Sequence, residues 1–290
     1  MTMVEVVVAL MLVSVMILGT MYSLATMTKL TDDTQNREVA AGLAEQEIDK
    51  VRATDDVFSV HTATTTQVVN GITYTIRRYT NWVSTTGATQ NCGSGGGVLL
   101  YKQVNVGVTW TNMLTLTNPI QADTVIAPAT KVNDPSYGSI LVSVTGADGR
   151  GRSGVGVTIT PNGNGAAAVG SVSPTDSDGC AFAFKVTPGS YNVAISKGGY
   201  ISDGEAATPS KAVTVTAGSS SPANFSYDAS ASVNISYASN FTGPSFRLPD
   251  ALSTNFFSAN QAYVSPTPSS PVPLYPFSGG YAVVAGTVTG

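Results

Sequence analysis

Between Met1 and Thr28 the sequence is apolar apart from scattered Ser, Thr and Gly, and its one charged side chain is Glu5. Six of the seven methionines lie in this stretch, and no proline occurs before Pro119. At ~1.5 Å per residue, a helix from Val6 to Met27 crosses a hydrocarbon core of ~30 Å. A cleaved secretory signal is excluded on two grounds: no Lys or Arg precedes the apolar run, and no small-x-small site closes it before Lys29. A run this long that is apolar on every face is read as a membrane span rather than a buried core helix.

Helical periodicity continues past Lys29. Val39, Leu43, Ile48 and Val51 recur at helical spacing in a segment dominated by Ala, Glu, Gln and Lys. The pattern predicts one helix from about Met1 to about Arg52, with Gly19 and Gly42 as weak points costing about 1 kcal/mol each relative to Ala. Asp32, Asp33 and Arg37 read as a solvated face of that helix rather than a site. A helix apolar all round in its first half and amphipathic in its second needs a partner for each half.

A carboxylate inside an apolar span is costly unless paired, so Glu5 is a candidate functional residue. Pairing is favoured over an interfacial placement, because Asp and Glu reach headgroups poorly and the flanking residues are apolar. With no Lys or Arg in the first 28 residues, the cation left for it is an α-amino group, its own or a neighbouring copy's.

Thr2, Glu5, Ala9 and Leu10, with Val4 matching in kind, resemble the mature N-terminus of type IV pilins and pseudopilins. Met1 departs from that family's usual phenylalanine. The resemblance covers roughly the first 55 residues. It implies that the numbering begins at the residue exposed by prepilin peptidase, that Met1 is N-methylated, and that Glu5 pairs with a Met1 amine during filament assembly. Major pilins of the family often carry a proline near position 22, where the helix melts; here Tyr22 stands there, and Gly19 is the substitute melting point.

Composition narrows the alternatives. Charged residues are 11% of the 290, against roughly 25% in an average domain. A net charge of −4 excludes a phosphate-neutralising nucleic-acid surface. The single histidine, His61, is expected on the surface at a strand edge, and no His/Cys cluster has zinc spacing. No enzyme, cofactor or metal site is therefore expected.

Beyond Asp56 the chain reads as β structure. Two strands flank Asn70-Gly71, and alternation continues through Val104, Val106, Val108 and Trp110 to Leu114 and Leu116. This part, residues 56–130, resembles a pilin headgroup. Residues 136–228 show short strands with turn signals at Asp148-Gly149, Asn162-Gly163, Asp178-Gly179 and Pro188-Gly189, which suits a β-sandwich. They resemble the carboxypeptidase-regulatory-like, transthyretin-type module. Asp176 and Asp178 invite a calcium reading, but the loop lacks further acidic ligands and a β-turn is preferred. Residues 229–290 read as a third β subdomain in which Tyr263, Tyr275, Phe277 and Tyr281 form core and hairpin packing, with a sticky surface as the alternative. Cys92 and Cys180 are candidates for one disulfide that would tie the sandwich to the headgroup, with intermolecular bridges or free thiols as the alternatives.

The expectation is thus an α+β chain: a pilin helix (1–55), an antiparallel headgroup and two C-terminal β units. The resemblance implies a subunit of a type IV pilus or pilus-like filament on a bacterial surface. It is held in the inner membrane before assembly, partnered by copies of itself and the pilus assembly machinery. The alternatives are a minor pilin or pseudopilin at the tip of a pilus or type II secretion system, and a membrane-tethered adhesive module.

Overall fold

The computed structural model describes residues 3–87, 89–90, 92, 97–113, 118–128, 134–235, 252–258, 262–265 and 271–286, the side chains of Glu5, Gln90, Val264 and Ser265 excepted. The chain is α+β with mostly strand content: one long N-terminal helix precedes several antiparallel and mixed sheets. It forms two compact units, residues 1–80 with 103–126 and residues 81–102 with 127–290.

In the first unit α1 (Met3–Arg52) is a single 50-residue helix, about 75 Å long at ~1.5 Å per residue. It runs unbroken through Gly19 and Gly42. A one-turn 3-10 helix (Val57–Ser59) follows, started by the Asp56 carboxylate accepting the Phe58 N–H at 2.9 Å. Next in the chain come β1 (Ala63–Val69), β2 (Ile72–Ser84), β3 (Thr89–Gln90), β4 (Leu99–Trp110) and β5 (Ile120–Ile126), in one sheet of order β1-β2-β4-β5 with β3 beside β2; β3, the end of β2 and the start of β4 fall within residues 81–102 of the second unit. The β1–β2 hairpin turns at Asn70 (φ +51°) and Gly71 (φ +79°). Two successive positive-φ residues define the tight turn whose twist matches that of strands, which is why Asn-Gly stands there. Leu114 and Leu116 lie outside the described residues.

β4 alternates as predicted: Val104, Val106, Val108 and Trp110 point inward against Ala40, Leu43, Ala44, Ile48 and Val51 of α1. Each large apolar side chain buried here contributes about 1.5–3 kcal/mol relative to exposure. One buried charge sits at the edge of this core. Glu47 receives Arg78 Nη1 at 2.6 Å, and Arg78 Nε donates to the carbonyl of His61 at 2.7 Å. His61 is therefore half-buried beside this pair, deeper than the surface position expected from its threonine-rich neighbourhood.

The second unit holds β6 (Gly138–Thr145), β7 (Gly156–Pro161), β8 (Cys180–Val186), β9 (Gly189–Ser196), β10 (Tyr200–Ser202), β11 (Ser210–Val215) and β12 (Ser220–Ala229). Two sheets, β10-β12-β6-β8 and β11-β9-β7, enclose one core of Ile140, Val142, Val157, Tyr191, Val193 and Phe225 among others. β6 and β12 pair in parallel within an otherwise antiparallel arrangement. Arg152 clamps the sandwich by donating Nε and Nη2 to the two Asp228 oxygens, both at 2.7 Å. This fork holds the Asp228 carboxyl down at about 2. Asp176 spends Oδ1 on the N–H groups of Asp178 and Cys180, both at 2.9 Å, as a turn residue does. Gly179 (φ +78°) closes that turn where a Cβ would lie 2.3 Å from the Val144 carbonyl oxygen.

Cys92 and Cys180 are joined in a disulfide. Both belong to the second unit, so the bridge lies inside it and not between the two units. Around it the segment 81–102 packs on the sandwich: Trp82 meets Phe182 edge-on at 6.0 Å, and the buried Lys102 ammonium stands over the Trp82 ring at 5.4 Å. The remaining strands, β13 (Ala231–Val233), β14 (Thr254–Phe257), β15 (Ala262–Ser265), β16 (Val272–Leu274) and β17 (Ala282–Ala285), form two small sheets around Phe256, Val272 and Leu274. Tyr275, Phe277 and Tyr281 stack edge-to-face into this packing. Glu205 accepts from the Tyr275 N–H at 2.9 Å and from the Tyr281 hydroxyl.

Candidate assembly surface

The first half of α1 presents a long, exposed apolar surface. Every large apolar side chain described from Met3 to Leu30 is between 46% and 88% exposed, on all faces of the helix. Soluble monomers rarely expose contiguous apolar patches beyond a few hundred Å², and a rod of this length far exceeds that. The helix is long and apolar enough to cross a membrane.

Its polar side chains are built for a dry environment. Ser14 Oγ donates to the Leu10 carbonyl at 2.8 Å, Thr20 to Ile17 at 2.9 Å and Thr26 to Tyr22 at 2.9 Å. Thr31 and Thr34 repeat the pattern toward Met27 and Leu30. Each hydroxyl is thereby satisfied by the turn before it, so none needs water. The sequence carried the signal, since hydroxyl residues inside an apolar helix have few other partners, but the spacing alone did not single them out.

Where the apolar stretch ends, the surroundings change within one turn. Leu30 is 54% exposed; Asp33, three residues on, is 9% exposed. Of the three residues read as a solvated face, Asp32 is exposed and Arg37 half-buried, but Asp33 is buried and lines a cleft with the tips of two strand connections. One tip carries Asn70 and the other Asn112 (φ +64°), and with α1 they enclose a cleft of about 640 Å³. Tyr74 reaches into its floor and donates its hydroxyl to Asn36 Oδ1 at 2.9 Å, while burial pushes the phenol up from its ordinary value. Asp33 Oδ1 is sealed from solvent and has no hydrogen-bond partner.

The residues singled out in the sequence fall as follows. Met1 lies outside the described residues. Glu5 lies on α1 with its side chain outside them. Gly19 is a helical residue with open space around its Cα, and a Cβ there would meet nothing within 4 Å. Cys92 and Cys180 are joined, far along the chain from all three. Among the described residues no group of three His, Cys, Asp or Glu is placed to hold a metal.

No family model matches the chain, and no curated protein matches it. Among solved structures, it is similar to a streptococcal ancillary pilin at 12% identity and a TM-score of 0.28, over 63% of each chain. It is similar to the Bacillus anthracis TIE protein at 13% and 0.27, covering 78% of this chain and 49% of that one. Yersinia pseudotuberculosis InvD follows at 12% and 0.16, with 75% and 80% covered. The chain thus spans less than two thirds of the pilin and about half of the TIE protein. Likenesses this slight carry no inference about what the chain does, and the reading below stands on its own residues.

Proposed function

We propose that this chain is a structural subunit of a bacterial type IV pilus or pilus-like surface filament. It polymerises through the first half of α1 and carries its β units on the outside. One observation supports this above the others: a helix apolar and exposed on every face from Met3 to Leu30 continues, without a break, into a half fixed by a folded head. Such a rod is satisfied by lipid before assembly and by copies of itself afterwards. The Thr2, Glu5, Ala9, Leu10 pattern adds the means, since Glu5 inside an apolar bundle seeks the Met1 amine of the adjoining subunit. The role is structural and assigns no catalytic residue. Its partners are further copies of the chain, the inner membrane, prepilin peptidase and the assembly machinery.

A membrane-tethered adhesive module makes equal use of an exposed apolar helix, and Glu5 separates the two readings. Glu5→Ala is expected to leave membrane insertion intact and abolish filaments, with mass spectrometry of purified filaments showing a methylated Met1. Normal filaments from the Glu5→Ala chain would refute the assembly mechanism.

A further inference from the structure

We infer that the cleft beneath the Asn70 and Asn112 turns takes an ammonium or guanidinium group, and that a second copy of this chain supplies it. This rests on the filament reading above. The unpartnered Oδ1 of Asp33 is the starting point. A buried acceptor left without a donor costs roughly 1–3 kcal/mol, and more when it is charged. Folding keeps it in place although none of the donors that line the cleft with it reaches it. Tyr74 gives its hydroxyl to Asn36, and Lys29, four residues before Asp33 and lining the same cleft, forms no ion pair with it.

The lining selects the ligand class. Lys29, Asp32 and Asp33 leave it one negative charge in excess, and the side-chain amides of Asn36, Asn70 and Asn112 add acceptor oxygens. A calcium-like ion wants six to eight oxygens with several carboxylates, which two adjacent helix positions do not supply. A lysine or arginine head needs one buried carboxylate and a few polar neighbours, and it fits.

Position selects the source. The cleft opens where the exposed apolar stretch of α1 stops, between Leu30 and Asp33. Copies that pack side by side along Met3–Leu30 with an axial stagger carry one head past that point on its neighbour. Arg37 and Arg77 of the copy form no ion pair among the described residues, and Arg77 is exposed. Register between copies is then set twice, by Glu5 at one end of the apolar stretch and by Asp33 at the other.

The test uses full-length chain as purified filaments and as detergent-solubilised monomer, in wild type, Asp33→Asn and Lys29→Gln. In Asp33→Asn, subunit release on transfer of filaments to detergent is expected to rise about thirtyfold or more, the effect of losing one partner of a buried interfacial pair. The monomer's melting temperature stays level or rises, because an unpaired carboxylate has been removed. Lys29→Gln changes neither. Wild-type release from Asp33→Asn filaments overturns the proposal. So does a lowered monomer melting temperature in both variants, which makes the pair internal. Stabilisation of wild-type monomer by spermidine or Mg²⁺, absent in Asp33→Asn, overturns it in favour of a free cation. If Glu5→Ala abolishes filaments while Asp33→Asn filaments release subunits at the wild-type rate, this inference fails alone; if wild type forms none, the filament reading fails with it.

Discussion

From Met3 to Leu30, α1 is apolar on all sides, the hydroxyls of Ser14, Thr20, Thr26 and Thr28 closed on their own helix and its large side chains exposed. From Asp33 to Val51 the same helix is two-faced, with Ala40, Leu43, Ala44, Ile48 and Val51 inside a core and Lys50 in solvent. Backbone geometry is identical in the two halves, and only the surroundings they were composed for differ. The first half stores its binding free energy for a partner not yet present. The second has already used its own in folding. Loss of a side chain should therefore register in assembly for one half and in melting for the other.

The largest expected effect concerns a region separate from both halves. Replacing Cys92 and Cys180 by Ser opens a loop of 88 residues and is expected to lower the second unit's stability by about 4–5 kcal/mol. Membrane insertion of α1 should not change. Trp82 stands in the second unit and Trp110 in the first, so denaturant unfolding followed by fluorescence, with the other Trp changed to Phe, reads each unit alone. A fall in the Trp110 transition equal to that of Trp82 would break the separation.

A matched pair sharpens the comparison within α1. Ile48→Ala should cost the first unit about 3 kcal/mol, from lost burial and the cavity left behind. Leu18→Ala makes the same kind of truncation at a 67% exposed position and should shift melting by under about 0.5 kcal/mol. Its effect belongs to filament yield. Equal melting losses at the two positions would mean that the halves are not different after all.

A smaller loss than that at Ile48 is electrostatic. The Asp228 carboxyl is held down at about 2 by Arg152, below its unfolded value of about 4. Its contribution of about 2 kcal/mol is present above pH ~4 and is lost as pH falls toward ~2. Asp228→Asn should remove that slope from the acid unfolding of the second unit and leave the first unit's unchanged. An unaltered acid profile would show that the Arg152 fork contributes nothing net.

What the sequence disclosed follows from range. The length of α1, the Asn70-Gly71 turn and the inward alternation of β4 each depend on residues within a turn or two of one another, and all are written locally. The burial of Asp33 is not, because it depends on Asn70 and Asn112 arriving from strands 37 and 79 residues away. The same holds for Glu47, whose partner Arg78 comes from β2, and for Trp82, which meets Phe182 from the other side of a 100-residue separation. Periodicity also could not show that β6 pairs in parallel with β12, since both strands alternate as any half-buried strand does. Of the candidate site, the apolar surface was legible and the polar cleft at its end was not.

The inward-turned hydroxyls of Ser14, Thr20 and Thr26 have a consequence for traffic between environments. A surface with few loose donors meets acyl chains and neighbouring side chains on nearly equal terms, since lipid is as apolar as Leu and Val. Moving such a rod from bilayer to fibre requires no rewiring of its own bonds. The direction of transfer is then decided by the few polar contacts at either end of the stretch, so small chemical changes there can reverse a long mechanical journey.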